Sequence, residues 1–398
     1  MAWNYKKTLG TAGGILLAAG LGATVIYLQY KNIFKKDKSG NLDSGTSDPN
    51  KDTKIPILEG NNEKLNIMSW NILNFGGEDS IKNSNKVLGI AKTILYKNSD
   101  IVALQEINDG DGAKVKRIVD TLNELDKNNQ WVFASSKSEP NPQYATQREQ
   151  FAFVYKSNKV DLYKSDNLRK YNYVRYPFIA YFRDKNAKND FALINIHLDS
   201  PGSPSNPKST KQNDEASEIY SGQGNKEVQE AQDLAVIIKE LKKDYPHDIL
   251  VMGDTNIKNT NNLIFETKEF TENGIKLAYK EFAKNLNEYY KTSLSTLEAY
   301  KKDGQKRGYV NAYDKFIYLD QNEQNIMPLE PENYRVDLLH AFDTNGGWLN
   351  LSEHQQLWYQ MPQNKGKYVN ANSVPWYELI RGDISDHAPV MIEYKLNQ

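Results

Sequence analysis

Apolar side chains recur at two spacings along this chain, and their alternation sets out an architecture. Residues 65–73 form a mostly apolar stretch that reads as a strand leading through Trp70 and Asn71. Residues 86–97 place Val87, Ile90, Ala91, Ile94 and Leu95 on one face at helical spacing. The run from Asp100 to Glu106 is short, apolar and closed by a polar end, the pattern of a buried strand that delivers Glu106 to a sheet edge. A second helix is predicted over 113–126 through Val115, Ile118, Val119, Leu122 and Leu125, and a long one over 226–243 through Val228, Ala231, Leu234, Ala235, Ile238 and Leu241. Further strands are predicted at 151–155, 178–182, 191–196, 248–252, 315–319 and 389–394. Helices and strands alternate at first and strands dominate later, which predicts an α/β sandwich. No internal repeat is visible. Three stretches read as insertions: 200–225, rich in Pro, Ser, Asn and Gly; 257–310, partly helical; and 320–383, rich in Tyr, Trp and Asn.

The first 62 residues follow neither spacing. Lys6 and Lys7 precede an uncharged run from Thr8 to Tyr30, long enough for one helical span of roughly 20 residues. Residues 1–36 therefore read as a membrane anchor, or as a secretory signal that is cleaved. More cations follow the run (Lys31, Lys35, Lys36, Lys38) than precede it, a bias that favours leaving the remainder in the cytoplasm. Residues 37–62 hold Asp, Ser, Gly, Asn and Lys with few large apolar groups and read as a flexible linker. The folded domain is predicted over 63–398.

Composition changes this picture in two respects. There is no cysteine, which excludes disulfides, thiolate–zinc sites and thiol nucleophiles. The net charge of −1 excludes a global basic field, so any polyanion must be held by a local basic patch or by bound metal.

Polar residues recur immediately after apolar runs: Asn71, Glu106, His197, Asp254 with Asn256, and Asp386 with His387. Strand ends at one edge of a sheet converge in space and can build one site. A lone carboxylate after a strand is more often a turn or cap residue, but a series of such positions ending in Ser-Asp-His is a constellation. Hard oxygen ligands such as Glu106, Asp254 and Asp386 suit Mg²⁺, Mn²⁺ or Ca²⁺ rather than zinc.

The segments Met68-Ser69-Trp70-Asn71-Ile72, Leu104-Gln105-Glu106, Ile194-Asn195-Ile196-His197-Leu198, Met252-Gly253-Asp254-Thr255-Asn256, Tyr313-Asp314-Lys315 and Ser385-Asp386-His387-Ala388-Pro389-Val390 occur in this order. Together they resemble the motif series of the endonuclease/exonuclease/phosphatase family. Arg148-Glu149-Gln150-Phe151 and Arg175 are similar to its deoxyribonuclease I-like branch. With the N-terminal segment and linker, the chain resembles membrane nucleases of mycoplasmas. The resemblance implies a four-layer α/β sandwich of the deoxyribonuclease I-like kind, with helical and irregular insertions. It also implies a metal-dependent phosphodiesterase that uses Mg²⁺, or else Mn²⁺ or Ca²⁺.

On the same basis Glu106 is the principal metal ligand, assisted by Asn71, with Asp386 at the metal or its water. Asp254 and Asn256 contact phosphate, and Asp254 is also placed to hold a metal. His387 is the general base, backed by Asp314; His197, paired with Glu149, stabilises the phosphate or protonates the leaving oxygen. Arg175, Arg148, Asn71 and Asn256 bind substrate, although Arg148 reads equally well as a solvated surface residue. His247, His340 and His354 lack such context and read as structural or surface groups. Lys208, Lys211, Lys301, Lys302 and Arg307 read as solvated charges or backbone contacts. Trp358, Tyr359, Trp376 and Tyr377 read as packing of an insert or as base-stacking groups.

The expected substrate is DNA, with RNA as a second possibility, cut with little sequence preference to scavenge nucleotides. The alternative is a sphingomyelinase-like or inositol-phosphatase-like phosphoesterase of the same fold. A non-enzymatic surface module would have no reason to keep the full set of acids and histidines. The expected location is the cell membrane with the catalytic domain outside, or secretion after signal cleavage. No protein partner is expected.

Overall fold

The computed structural model describes residues 63–81, 84–144, 146–201, 219–279, 288–295 and 308–396. The expected anchor and linker, the centre of the 200–225 loop, and Lys208, Lys211, Lys301, Lys302 and Arg307 lie outside them. Among the described residues no helix is long and apolar enough to cross a membrane.

Two six-stranded mixed sheets form the frame. The first runs β11 (Ile326–Met327), β12 (Val390–Lys395), β1 (Lys64–Phe75), β2 (Ile101–Asn108), β4 (Glu149–Lys156), β3 (Trp131–Ser135). The second runs β5 (Val160–Asn167), β6 (Phe178–Asp184), β7 (Asp190–His197), β8 (Asp248–Asp254), β10 (Asp314–Leu319), β9 (Lys276–Leu277). Each sheet has one parallel pair, β1 with β2 and β7 with β8, flanked by antiparallel neighbours.

The period-2 alternation explains how the sheets pack. On β1, Leu65 and Ile67 join the cluster between the sheets, while Met68, Trp70 and Ile72 join a second cluster. That second cluster also holds Val87, Ile90, Ala91 and Ile94 of helix α1 (Asn85–Tyr96) and Ile118, Val119 and Leu122 of helix α2 (Lys116–Leu125). Ser84 caps α1, its hydroxyl accepting from the Val87 amide at 3.1 Å. Helix α3 (Asn225–Asp244) adds Ala231, Leu234, Ala235 and Ile238 to the cluster that buries both faces of β7 and β8. The order is helix, sheet, sheet, helix. Each fully buried large side chain contributes about 1.5–3 kcal/mol of hydrophobic stabilisation.

Four strands were not expected: the two-residue edges β9 and β11, and the longer β3 and β5. β5 is an exposed edge strand of polar side chains, and β3 is the edge of the first sheet, so neither alternates cleanly. Leu125, expected on the buried face of α2, is exposed because it is the last helical residue. The 320–383 segment is ordered packing around helix α4 (Leu351–Gln360). It meets α1 through Trp348, whose indole donates to Thr93 Oγ1 at 2.9 Å and stacks on Tyr96.

Candidate active site

The parallel strands end where their antiparallel partners begin, which brings the strand-end polar residues to one edge of both sheets. β1 supplies Asn71, β2 Glu106, β7 His197 and β8 Asp254; β4 starts at Glu149, β10 at Asp314, and His387 precedes β12. Asp254 lies in register between His197 on one side and Asp314 on the other. Adjacent irregularities in β1 and β2 turn the backbone outward here, with Leu73, Asn74 and Glu106 at φ of 52°, 50° and 59°. Left-handed backbone at non-glycine residues is costly and persists where the surroundings enforce it. It wraps a loop around the Glu106 carboxylate, which accepts from Asn74 N at 3.0 Å and from Asn71 Nδ2 at 2.8 Å. The same Asn71 amide reaches Asp254 Oδ2 at 3.2 Å, so Asn71 bridges the two carboxylates.

Two histidine–carboxylate pairs face each other. His197 Nδ1 lies 3.0 and 2.9 Å from the Glu149 oxygens, and His387 Nδ1 lies 2.7 Å from Asp314 Oδ2. Each Nδ1 thereby holds its proton toward a carboxylate, and both Nε2 atoms point inward. They sit 3.7 and 3.6 Å from the single oxygen Asp254 Oδ2. Burial alone would disfavour charge on all of these groups. For His387 it is outweighed by Asp314, Asp254 and Asp386, which hold its pKa well above the ordinary value. For His197, burial and Arg175 are outweighed by Glu149 and Asp254, and its pKa is raised. The two histidines in turn outweigh burial at Asp254 and keep it below the usual range. Glu149 is held down likewise, by His197 and Arg175 against its burial.

The remaining expected site residues divide into braces and cleft groups. The Arg175 guanidinium is largely enclosed and pairs with Glu149 at 2.8 Å while donating to the carbonyl of Leu198 at 3.0 Å. Asn256, at φ 51°, is buried, its side chain donating to the Leu198 carbonyl at 3.0 Å and its amide to Asp254 Oδ1 at 2.8 Å. Arg148 is half-exposed at the cleft, 3.7 Å from Asp109. Asp386 is half-buried and acts on His387 through its charge. Beside the site lies an open cleft of about 430 Å³, lined by Asn74, Glu106, Arg148, Glu149, Arg175 and His197 among others. His354 is buried away from this cleft, His247 is half-buried and His340 is exposed. Trp358, Tyr359 and Tyr368 pack together inside the insert, and Trp376 and Tyr377 lie against the cluster that α1 and α2 form on the first sheet.

Several residues that shape the site gave no signal as functional residues. Gln105 and Asn195 meet between the sheets at 2.7 Å, and Asn195 donates to the carbonyls of Leu104 and Ala152. Ser385 donates to the Asn71 carbonyl at 2.6 Å and accepts from the His387 amide at 2.9 Å. Trp70 donates to the His387 carbonyl at 2.8 Å. All four positions, Trp70, Gln105, Asn195 and Ser385, fall inside motif segments, which was the one available cue.

Residues 68–293 match the profile of the endonuclease/exonuclease/phosphatase family, more than half of the chain. The chain belongs to this family. Two deoxyribonucleases are among its relatives. Deoxyribonuclease-1 of Gallus gallus is 30% identical over 148 residues, 35% of this chain and 50% of the relative. Deoxyribonuclease gamma of Homo sapiens is 28% identical over 166 residues, 39% of this chain and 50% of the relative. The chain thus spans about half the length of these relatives. Among solved structures, the mannosyl-6-phosphatase Bt3783 of Bacteroides thetaiotaomicron shows 15% identity and a TM-score of 0.46, over 83% of this chain and 99% of that one.

Deoxyribonuclease I-like members of this family generally use divalent metals. Among the described residues no three Asp, Glu, His or Cys side chains converge as a preformed cage. What is present is Glu106, a carboxylate at the mouth of a polar cleft, with Asn71 and Asp254 behind it. This fits a hard cation that keeps several waters and takes one or two carboxylates plus substrate oxygens, as Mg²⁺ does.

Proposed function

We propose that the chain is a divalent-metal-dependent nuclease that hydrolyses phosphodiester bonds of DNA, and secondarily of RNA, with little sequence preference. The observation that carries the reading is the facing pair of histidine–carboxylate dyads, Asp314–His387 and Glu149–His197, with both Nε2 atoms directed at Asp254. Such a pair supplies a base on one side of a phosphate and an acid on the other. The relationship to two deoxyribonucleases supports the choice of DNA.

In this reading His387 Nε2 takes a proton from the attacking water, with Asp314 fixing the tautomer through Nδ1. The new P–O bond forms as the bond to the sugar oxygen breaks, and His197 Nε2 gives that oxygen a proton. Glu149, charged and braced by Arg175, steadies the imidazolium at His197. Glu106, Asn71, Asp254 and Asp386 are the residues that would hold the ion. When bound, Mg²⁺ (or Mn²⁺ or Ca²⁺) supplies positive charge to the phosphoryl oxygens and weakens the carboxylate field that holds the proton on His387. Arg148, at the cleft wall, contacts the substrate backbone. Residues 1–36 anchor the protein to the cell membrane, with the 63–398 domain outside.

The test is nicking of supercoiled plasmid by the full chain, with and without Mg²⁺ and chelator. Chelation abolishes nicking, and Glu106→Ala and His387→Ala each lower it by about 10³-fold or more, to a slow residual rate, while circular dichroism stays native. Full activity in either variant would sink the site assignment. Absence of nicking together with hydrolysis of sphingomyelin would move the reading to a lipid substrate.

A further inference from the structure

We propose that Lys86 is a positioning residue that holds the two halves of this site together, and that the insert around α4 serves as its buttress. The inference rests on the nuclease reading above.

A lysine at this point in the chain is anomalous. It lies in the first turn of α1, where the helix dipole disfavours a cation, and it is buried, where an ammonium is costly unless fully hydrogen-bonded. Its Nζ donates to the carbonyl of Leu73 at 2.6 Å and to the carbonyl of Asp383 at 2.5 Å. These two carbonyls belong to opposite halves of the site. Leu73 lies in the left-handed loop whose next residue, Asn74, donates to Glu106. Asp383 lies in a single turn of π-helix, Ile380–Ile384, which leads into Ser385. Ser385 in turn bonds to Asn71 and to the amide of His387. One ammonium therefore joins the loop that cradles the metal-side carboxylate to the turn that presents the base. π-Turns are rare and recur at functional sites, because they place a residue that regular helix cannot.

The insert fixes this junction from behind. The Asn85 amide donates to the Leu379 carbonyl at 3.1 Å and to the Asp383 carboxylate, and its Oδ1 accepts from His354 Nδ1 of α4 at 2.6 Å. Burial holds the His354 pKa down to about 3, so it is the neutral ring that donates. Gly89 lets the π-turn approach: a Cβ there would lie 2.3 Å from Ile384 Cδ1. None of Lys86, Asn85 or His354 lines the cleft, so their effect on chemistry runs through Glu106 and His387.

The experiment is a double-mutant cycle on the full chain with Mg²⁺ and duplex DNA, measuring kcat and KM. Lys86→Met is expected to lower kcat by about 10²-fold, the cost of roughly 1 Å of misplacement at a reacting centre, with KM nearly unchanged. In a His387→Ala background the same change is expected to cost at least about threefold less than in wild type, because one of the two groups it positions is gone. A kcat for Lys86→Met within about threefold of wild type, or the full loss persisting without His387, would overturn the proposal. His354→Leu is a milder variant that should fold even if Lys86→Met does not. It is expected to lower kcat at constant KM, and an unchanged kcat would remove the buttress. The imidazole resonance of His387 gives a readout independent of activity. It is expected to move in either variant, and a fixed resonance refutes the proposal, whereas an inactive wild-type chain counts against the nuclease reading alone.

Discussion

Glu230 offers a quantitative test of how the site is braced. Its carboxylate lies inside α3 and accepts from the amide of Val174 at 2.6 Å and from the amide of Asp199 at 2.7 Å. It thereby ties the residue before Arg175 to the segment just after His197. Burial is the main influence on this carboxyl and pushes its pKa from 4.5 to about 7, against the two amides and Lys226. The folded value thus lies above the unfolded one, and the folded state binds the extra proton between them. The stabilising contribution is full below pH of about 4.5 and is lost as pH rises through about 7. Each tenfold in proton affinity is worth about 1.4 kcal/mol, so the loss amounts to about 3 kcal/mol. Glu230→Gln abolishes the titration. It turns one acceptor into a donor against a backbone amide, a penalty of about 1–3 kcal/mol that does not vary with pH. Urea unfolding of both proteins at pH 4.5, 6, 7 and 8 separates the two effects. The stability of wild type relative to the variant is expected to fall by about 3 kcal/mol across that range, closing or reversing its lead. Parallel stability curves would refute the reasoning, since they would mean that Glu230 does not titrate in the folded protein.

Two further outcomes follow from the geometry. Asp314→Asn turns an amide N–H toward His387 Nδ1 and moves the ring hydrogen to Nε2, which disables the base. By the precedent of the Ser-His-Asp triad, kcat is expected to fall by about 10⁴-fold with little change in KM, and steady-state rates within tenfold of wild type would contradict the base assignment. Gly253→Ala places a Cβ 1.9 Å from the Ile196 carbonyl oxygen, at a φ of 147° that only glycine adopts readily. It is expected to cost more than about 3 kcal/mol by prising β7 from β8, and a thermal midpoint lowered by less than about 5 °C would contradict this.

The parts of this molecule legible in the sequence are those with a strong period or a strand-end polar residue. The helices on Val87–Ile94 and Val228–Ile238 were read from apolar spacing because they pack on a sheet. Glu106, His197, Asp254 and His387 were legible as a set because parallel strands must end at a common edge. β5 was not, because an edge strand facing solvent keeps polar side chains on both faces. Arg175, which lines the cleft, and Asn256 also hold Glu149 and the Leu198 carbonyl, a use that only tertiary contacts disclose. Lys86 and His354 were silent for the opposite reason. A lysine in a helix reads as solvated, and nothing in one dimension shows that its carbonyl partners lie 13 and 297 residues away.

The pairing of each histidine with a carboxylate from the other sheet has a consequence for biosynthesis. His197 ends a strand of the second sheet and Glu149 begins one of the first; Asp314 belongs to the second and His387 leads into the first. Neither sheet alone contains a complete dyad. A nascent chain therefore has no competent acid or base pair until both sheets have docked, and the His387 pair also waits on the strand that follows it, β12. On the nuclease reading proposed above, the two sheets act as a joint safeguard: neither dyad can reach a phosphodiester until the halves that carry it have joined.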